Sequence, residues 1–200
     1  MVKCLFLLVF LSQSTWADFR VGDIILQPRR CYVCSLIEAQ EQSSFSHMSL
    51  VVKVDAQKIL VADSLTQVRV QSLEAFLSEG DPTRGHKVFR FKEKLEGNLW
   101  ESVEPLLGAE FDGAFLWDNL GRDGREALYC SEFVTKAVNN HLKSKFPTKR
   151  MDYSVNREIW DRLFGGSAPH GLPGNSPGDF EKSKLLKLVA TEEEGRWTWK

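Results

Sequence analysis

Apolar residues change their spacing along this chain, and this change restricts the fold more than any other feature of the sequence. Residues 45–54 alternate, with Met48, Leu50, Val52 and Val54 on one face and His47, Ser49, Val51 and Lys53 on the other. Such alternation predicts a half-buried strand. Between Tyr129 and Leu142 the apolar residues recur at helical spacing instead.

The other elements follow the same division, with strands in the first half and helices mostly in the second. Predicted strands are Asp23–Leu26, Lys58–Ala62, Thr66–Val70 and Lys87–Phe91, and predicted helices are Ser35–Gln42, Ser72–Leu77, Asn98–Leu107 and Ser154–Phe164. Strands followed by helices indicate an α+β domain.

The first 17 residues have the pattern of a signal peptide. Lys3 supplies a basic start, residues 4–11 are apolar, and Thr15-Trp16-Ala17 ends in a small residue, which predicts cleavage after Ala17. A membrane anchor is the alternative, but the run is shorter than the roughly 20 apolar residues that a spanning helix needs. We expect a secreted or periplasmic chain with no stable membrane span after signal removal, in a compartment that permits disulfides.

Glycine and proline mark a boundary near the end of the chain. Residues 165–178 are rich in both and predict an exposed loop. The sequence therefore predicts a domain over 18–165 and an extension, residues 166–200, that begins with this loop.

The charge of the chain argues against one class of partner. There are 26 Lys and Arg against 27 Asp and Glu, and no basic stripe or block of like charge interrupts the sequence. Nucleic-acid binding needs such a basic surface, so no nucleic-acid partner is expected.

Removal of the signal peptide leaves three cysteines, Cys31, Cys34 and Cys130. Cys31 and Cys34 have thioredoxin spacing and either pair with each other or remain as buried small apolar groups. The βαβ context that redox chemistry at this motif requires is missing. Because three is an odd number, Cys130 remains as a thiol that needs its own explanation.

The histidines give no support for a metal site. A zinc site at Cys31 and Cys34 needs further ligands at workable spacing. His86, His141 and His170 are scattered over polar stretches that predict a solvated surface. Neither a metal nor another cofactor is expected.

Cys130 stands where a looped segment gives way to the helical pattern. Its sulfur is therefore expected at the positive end of a helix dipole, near free backbone amides, and this environment favours a thiolate. The alternative is a buried apolar cysteine in the first turn of the helix.

The alternating strand at residues 45–54 and the next predicted strand, Lys58–Ala62, can form a hairpin. This hairpin brings a histidine and an acid together. If the turn is the three-residue loop Val54–Ala56, His47 falls directly opposite Asp63. Residues directly opposite share a face, so Asp63 can orient the His47 imidazole and stabilise its cation. A two-residue turn shifts the register by one and weakens this prediction. Without such a contact, His47 is a strand histidine and Asp63 a turn or cap residue.

Four segments occur in a definite order along residues 18–164: Gly22–Ile25, Phe45–Val52, Val61–Ser64 and Tyr129–Val134. In this order they resemble the YiiX-like permuted papain-fold amidases, relatives of the NlpC-type peptidases. The order of histidine, acid and then cysteine is the mark of the permuted branch. The resemblance implies a circularly permuted papain-like fold in which the helix carrying the nucleophile packs on an antiparallel sheet.

The same resemblance implies roles for three residues. Cys130 becomes the nucleophile, His47 its base and Asp63 the residue that orients the base, although family members commonly have Glu at the last position. Tyr129 is expected to support the oxyanion or line the substrate pocket.

The function implied is cysteine-dependent hydrolysis of an amide through an acyl-enzyme. For an exported chain, the resemblance suggests cell-envelope or peptidoglycan-type peptides as substrates. Two alternatives stay open: a lipid acyl hydrolase or acyltransferase using the same triad, which a long apolar groove would favour, and a non-catalytic binding module.

Overall fold

The computed structural model of the protein describes residues 18–200. The predicted signal peptide, residues 1–17, lies outside the described residues. Within them, seven strands form one antiparallel sheet in the order Val68–Ser72, Ile59–Ser64, His47–Val54, Ile24–Gln27, Lys87–Phe91, Leu186–Glu193 and Arg196–Trp199, and Lys149–Arg150 and Pro173–Gly174 form a separate two-stranded pair. The predicted α+β class with an antiparallel sheet is confirmed.

The strands are β1 (Ile24–Gln27), β2 (His47–Val54), β3 (Ile59–Ser64), β4 (Val68–Ser72), β5 (Lys87–Phe91), β6 (Lys149–Arg150), β7 (Pro173–Gly174), β8 (Leu186–Glu193) and β9 (Arg196–Trp199). The helices are α1 (Tyr32–Glu41), α2 (Leu73–Ser78), α3 (Trp100–Val103), α4 (Cys130–Asn139), α5 (Arg157–Leu163) and α6 (Pro177–Lys182), and a 3-10 turn, Glu104–Leu106, continues α3.

Both faces of the sheet are buried, each under a different layer. On one face, Met48 and Leu50 of β2 share a cluster with Phe133 and Val134 of α4. On the other face, a second cluster joins the sheet to α2 and to aromatic residues from both ends of the described chain, Phe19 and Trp197. The predicted packing of α4 on the sheet is therefore confirmed, because the helical stripe read from the sequence is the face that α4 buries.

The β2–β3 hairpin has a different register from the one predicted. Four residues, 55–58, close it, and Val54 pairs with Ile59. Asp55 explains the longer turn, because its Oδ1 accepts hydrogen bonds from the amides of Gln57 and Lys58 at 3.1 and 2.8 Å. The prediction of a three-residue turn was wrong.

A β-bulge in β2 then changes the register again, so that His47 and Asp63 lie on the same face of the sheet. The register shifts between Val51 and Lys53, so that Val52 is the extra residue and Val51 pairs with Val61. Extended along the strands, this register sets Asp63 opposite Ser49. His47 is consequently a diagonal neighbour of Asp63 on the same face, instead of its direct partner.

The first helix begins at a disulfide. Cys31 is the N-cap of α1, its Sγ accepts a hydrogen bond from the amide of Cys34, and the two cysteines are bonded to each other. Of the two alternatives that the sequence left open, the structure has the pair. None of the helices within residues 18–200 is long and apolar enough to cross a membrane.

The segment predicted as an extension, residues 166–200, is part of the main sheet. β8 pairs with β5 from Leu186 opposite Phe91 to Thr191 opposite Lys87, and β9 pairs with β8. The physical reason is that the apolar patch at 185–190 buries its side chains on both faces of the sheet. A boundary at residue 165 therefore does not separate structural units.

We expect Leu186→Ala to lower the free energy of unfolding by about 2–5 kcal/mol, because it removes a large side chain from the core. Leu186 is 4% exposed. Leu172→Ala is the matched control in the same segment, where the leucine is 47% exposed. It should change the free energy by less than about 0.5 kcal/mol. Urea denaturation measures both, and equal small effects would show that β8 is dispensable.

Candidate active site

Cys130 is the first residue of α4, and its side chain is buried. Amides in the first turn of a helix have no carbonyl four residues earlier to bind, so they remain available to an anion near the sulfur. Two contacts fix this end of the helix. Ser64 Oγ donates to the Leu128 carbonyl at 2.6 Å, and Ser131 Oγ donates to the Asn175 carbonyl at 3.0 Å.

His47 is the first residue of β2, where it pairs with Gln27 of β1. Its ring is buried and lies 5.8 Å, between centroids, from the ring of Phe76. Nε2 is 2.9 Å from Asp63 Oδ2. Since Asp63 accepts the Nε2 proton, Nδ1 is the nitrogen left for Cys130, whose interaction with the ring raises the pKa of His47.

The surroundings of His47 favour its protonated form. Burial lowers the pKa of His47, but hydrogen bonds with Asp63 and Cys130, together with the electrostatic attraction of both groups, raise it to about 9. A histidine in this state can donate a proton.

Asp63 is fully buried and accepts hydrogen bonds from three side chains. Besides His47, Arg69 binds both carboxylate oxygens, Nε to Oδ1 at 3.0 Å and Nη2 to Oδ2 at 3.2 Å, and Gln71 Nε2 lies 3.3 Å from Oδ1. Burial raises the pKa of Asp63, yet the hydrogen bonds and charges of His47 and Arg69 outweigh it and keep the pKa below its ordinary value. Asp63 is therefore a carboxylate.

Arg69 belongs to a chain of polar contacts that returns to the strand beside His47. Its Nη2 donates to Glu79 Oε2 at 2.6 Å, and Arg29 Nη1 reaches Glu79 at 3.1 Å and Gln27 Oε1 at 3.3 Å. Sequence reasoning missed Arg69. A signal existed, because Asp63 and Arg69 are opposite charges directly across the short β3–β4 hairpin.

The structure brings together three of the residues singled out in the sequence, in the chain order histidine, acid, cysteine. Residues 18–190 match the family described as permuted papain-like amidase enzymes, YaeF/YiiX, C92 family. The chain belongs to this family. Its members are papain-like cysteine amidases and peptidases, so the chain is an enzyme of the cysteine type that hydrolyses amide bonds.

A solved structure is similar over nearly the same length. It is the crystal structure of metalloprotein yiiX from Escherichia coli O157:H7, with 24% sequence identity and a TM-score of 0.73, and the match covers 87% of this chain and 98% of that one. The likeness bears out the permuted papain-like fold. No curated protein matches the chain.

The residues at the site do not fit a metal ion. In the part of the chain from 18 to 200, no three or more His, Cys, Asp or Glu side chains converge as ligands would. Both oxygens of Asp63 are already engaged by His47 and Arg69. The description of YiiX as a metalloprotein therefore has no counterpart in the donor set around Cys130.

Tyr129 immediately precedes the helix and is its N-cap residue. Its ring is buried and lines a cavity beside Cys130. Its hydroxyl accepts a hydrogen bond from the backbone N–H of Asn175 at 3.3 Å. Burial raises the pKa of Tyr129, with the charge of Glu132 adding to it, so the phenol stays protonated.

The loop around Asp112 forms part of this cavity. Asp112 is buried and its carboxylate accepts hydrogen bonds from the amides of Ala114 and Leu116 at 2.9 and 2.6 Å. The resulting turn sets Phe115 in the wall of the cavity, with its ring centroid 5.6 Å from that of Tyr129. The sequence Phe111-Asp112-Gly113 is typical of a turn, but it does not show which surface the turn meets.

Asp63→Asn should lower the pKa of His47 well below about 9. The reason is that the variant removes the negative charge while burial, which lowers the pKa, remains. NMR titration of the histidine ring protons measures it, and Asp55→Asn, on the exposed turn, is the control. An unchanged His47 pKa would contradict the assigned contact.

The same shift predicts how stability depends on pH. The pKa of His47 rises from 6.5 to about 9 in the folded protein, so folding takes up a proton between these values. The stabilisation is complete below pH 6.5 and is lost as the pH rises through about 9. Unfolding free energies measured across this window should fall less steeply in Asp63→Asn than in the original protein.

Proposed function

We propose that Cys130, His47 and Asp63 form the catalytic triad of an amidase that acts on small peptide amides of the cell envelope. The observation that carries the proposal is the position of His47 between the two others. One ring nitrogen contacts Asp63 at 2.9 Å and the other is left for Cys130. This is the arrangement of nucleophile, base and orienting acid that acyl transfer requires.

In the proposed reaction the Cys130 thiolate attacks the carbonyl carbon of the amide and forms a C–S bond. Amides at the start of α4 stabilise the oxyanion. His47 gives its proton to the leaving nitrogen as the C–N bond breaks, and the amine departs. Water then attacks the thioester while His47 takes one of its protons, and cleavage of the C–S bond releases the carboxylic acid.

In this mechanism Arg69 and Asp63 have a positioning role. Asp63 holds the imidazole through Nε2, and the bidentate contact of Arg69 holds Asp63 in turn. A carboxylate fixed on both sides cannot rotate away when His47 loses its proton. The ring therefore keeps Nδ1 directed at the sulfur through both proton transfers.

The size of the adjoining cavity supports an amide over a lipid substrate. The cavity beside Cys130 has a volume of about 40 Å³. That volume suits a few heavy atoms, whereas a lipid acyl chain needs a long groove. A non-catalytic binding module would have no need for a buried histidine and carboxylate joined to a cysteine.

Export belongs to the same proposal. A signal-peptide pattern precedes the described residues, and Cys31 and Cys34 form a disulfide, a bond that persists in oxidising compartments. We propose that the enzyme works in the periplasm or outside the cell, where cell-envelope peptides are present.

Cys130→Ala and His47→Ala should each abolish amide hydrolysis. Asp63→Asn should reduce kcat by orders of magnitude, roughly 10³–10⁴-fold as in other triads, because the imidazole loses its orienting acceptor. Mass spectrometry of a panel of peptides and cell-wall fragments measures the turnover.

The matched control is the double variant Cys31→Ser/Cys34→Ser. It removes the other two cysteines of the described chain and should keep its turnover while losing stability. Activity that survives Cys130→Ala, or disappears with the double variant while the fold persists, would assign the chemistry to other residues.

A further inference from the structure

The cavity beside Cys130 has mainly apolar walls. Its wall residues come from distant parts of the chain, and the apolar and aromatic ones include Ile37, Phe115, Tyr129, Met151, Tyr153 and Trp160. Walls of this kind bind the apolar part of a ligand by excluding water from it.

Polar residues in the wall already have partners within the protein. Three serines donate their hydroxyl hydrogens to other groups of the chain: Ser46 to Glu38 at 3.0 Å, Ser131 to the Asn175 carbonyl at 3.0 Å and Ser176 to Asp179 at 2.9 Å. The carboxylate of Glu41 pairs with Lys149 at 2.6 Å. An apolar ligand can therefore contact this wall without breaking a hydrogen bond of these groups.

Contacts between aromatic rings hold the walls in place. Between ring centroids, Tyr153 lies 5.1 Å from Trp160, and Phe115 lies 5.6 Å from Tyr129. Phe115 has a φ of +51°, which residues other than glycine rarely adopt, and the hydrogen bonds of Asp112 keep the turn in this conformation. Because packed rings do not move aside freely, the cavity limits the size of its ligand.

The position of His47 indicates which part of a substrate faces the cavity. Cys130 lines the cavity together with Tyr129 and Ser131, whereas His47 does not line it. In the proposed mechanism the leaving nitrogen takes its proton from His47, so this nitrogen must lie next to the imidazole. The acyl part, which is the other group on the carbonyl carbon, is then the part next to the cavity.

We infer, on the basis of the proposed function, that this cavity is the subsite for the side chain of the acyl residue and that it selects short aliphatic side chains. At about 10–15 Å³ for each water-sized group, the cavity of about 40 Å³ holds about three carbon atoms. Longer aliphatic side chains and aromatic side chains exceed this volume. The enzyme therefore cleaves after residues the size of alanine to norvaline.

A series of p-nitrophenyl esters measures this selection with a constant leaving group. The N-acetyl esters of glycine, alanine, 2-aminobutyrate, norvaline and norleucine have straight side chains of zero to four carbons, and each chiral ester is used as both enantiomers. The Cys130 thiolate attacks the ester carbonyl, the C–O bond breaks, and the coloured p-nitrophenolate departs. Its rate of release, less that of Cys130→Ala, is divided by the rate of the same ester with N-acetylcysteine.

We expect this relative rate to rise about 4-fold for each added carbon up to a maximum, because each carbon removes more apolar surface from water. A maximum at a side chain of one to three carbons, in either enantiomer, supports the inference. Equal relative rates for all the esters, or a maximum at glycine or norleucine, would overturn it.

Ile37→Ala and Ile159→Ala are a matched pair of variants. Both isoleucines are partly buried against the apolar cluster that contains Trp160, but of the two only Ile37 lines the cavity. Each variant removes Cγ1, Cγ2 and Cδ1. With the ester series extended to 2-aminooctanoate, Ile37→Ala should move the maximum to a side chain about one to three carbons longer, and Ile159→Ala should leave it unchanged. The same maximum in both variants would contradict the assigned wall.

The two proposals fail in different ways. If no ester reacts faster with Cys130 than with N-acetylcysteine, and His47→Ala makes no difference, the proposed catalytic role is wrong. If Cys130 reacts fast with all the esters alike, the catalytic role stands and the subsite is wrong.

Discussion

The buried carboxylate of Asp63 is the constraint on which the site depends. An ion with no exposure to water destabilises the fold unless charged partners and hydrogen bonds replace its hydration. Here His47 and Arg69 provide these, and Glu79 and Arg29 continue the contacts to Gln27, the residue paired with His47. The polar contacts thus form a closed circuit across four neighbouring strands and the end of α2. Loss of Asp63 would remove the carboxylate that His47 and Arg69 share.

These contacts also decide how His47 is held. The ring contacts Asp63, interacts with Cys130 in a way that raises the pKa of the ring, and is buried, which limits access of water. Ser64, the residue after Asp63, extends to the opposite face and holds the Leu128 carbonyl just before α4. Two consecutive residues of β3 therefore position His47 and the start of α4, since neighbours on a strand point to opposite faces. Any movement of β3 displaces both together.

Much of the fold and of the site could be predicted from the sequence, because the spacing of apolar residues and the family motifs are both local patterns. The strand at 87–91 and the helix after Tyr129 were placed within a few residues. The face shared by His47 and Asp63 was predicted correctly through a wrong register. The turn begins one residue later and is one residue longer than assumed, which displaces the pairing by three residues, and the bulge at Val52 takes one of them back. The remaining displacement is two residues, an even number, which preserves the face.

What the sequence could not provide were contacts between distant segments. Trp160 and Asn175 approach Cys130 only through the packing of α5 and the loop before α6, and no local pattern records such packing. The Gly- and Pro-rich stretch at 165–178 indicated an exposed loop, yet Asn175 within it is almost completely buried. The glycines and prolines of that stretch indicate its turns. They do not indicate the hydrogen bonds that Ser131 and Thr135 make with Asn175.

The late position of Asn175 sets the order in which the walls of the cavity can form during synthesis. Ser131, the residue after Cys130, binds a residue 44 positions further on, and β8, further still, pairs with β5. A ribosome adds about 5–20 residues each second. The segment with Cys130 therefore emerges seconds before Asn175, and the cavity that both residues line cannot form until synthesis has passed Asn175.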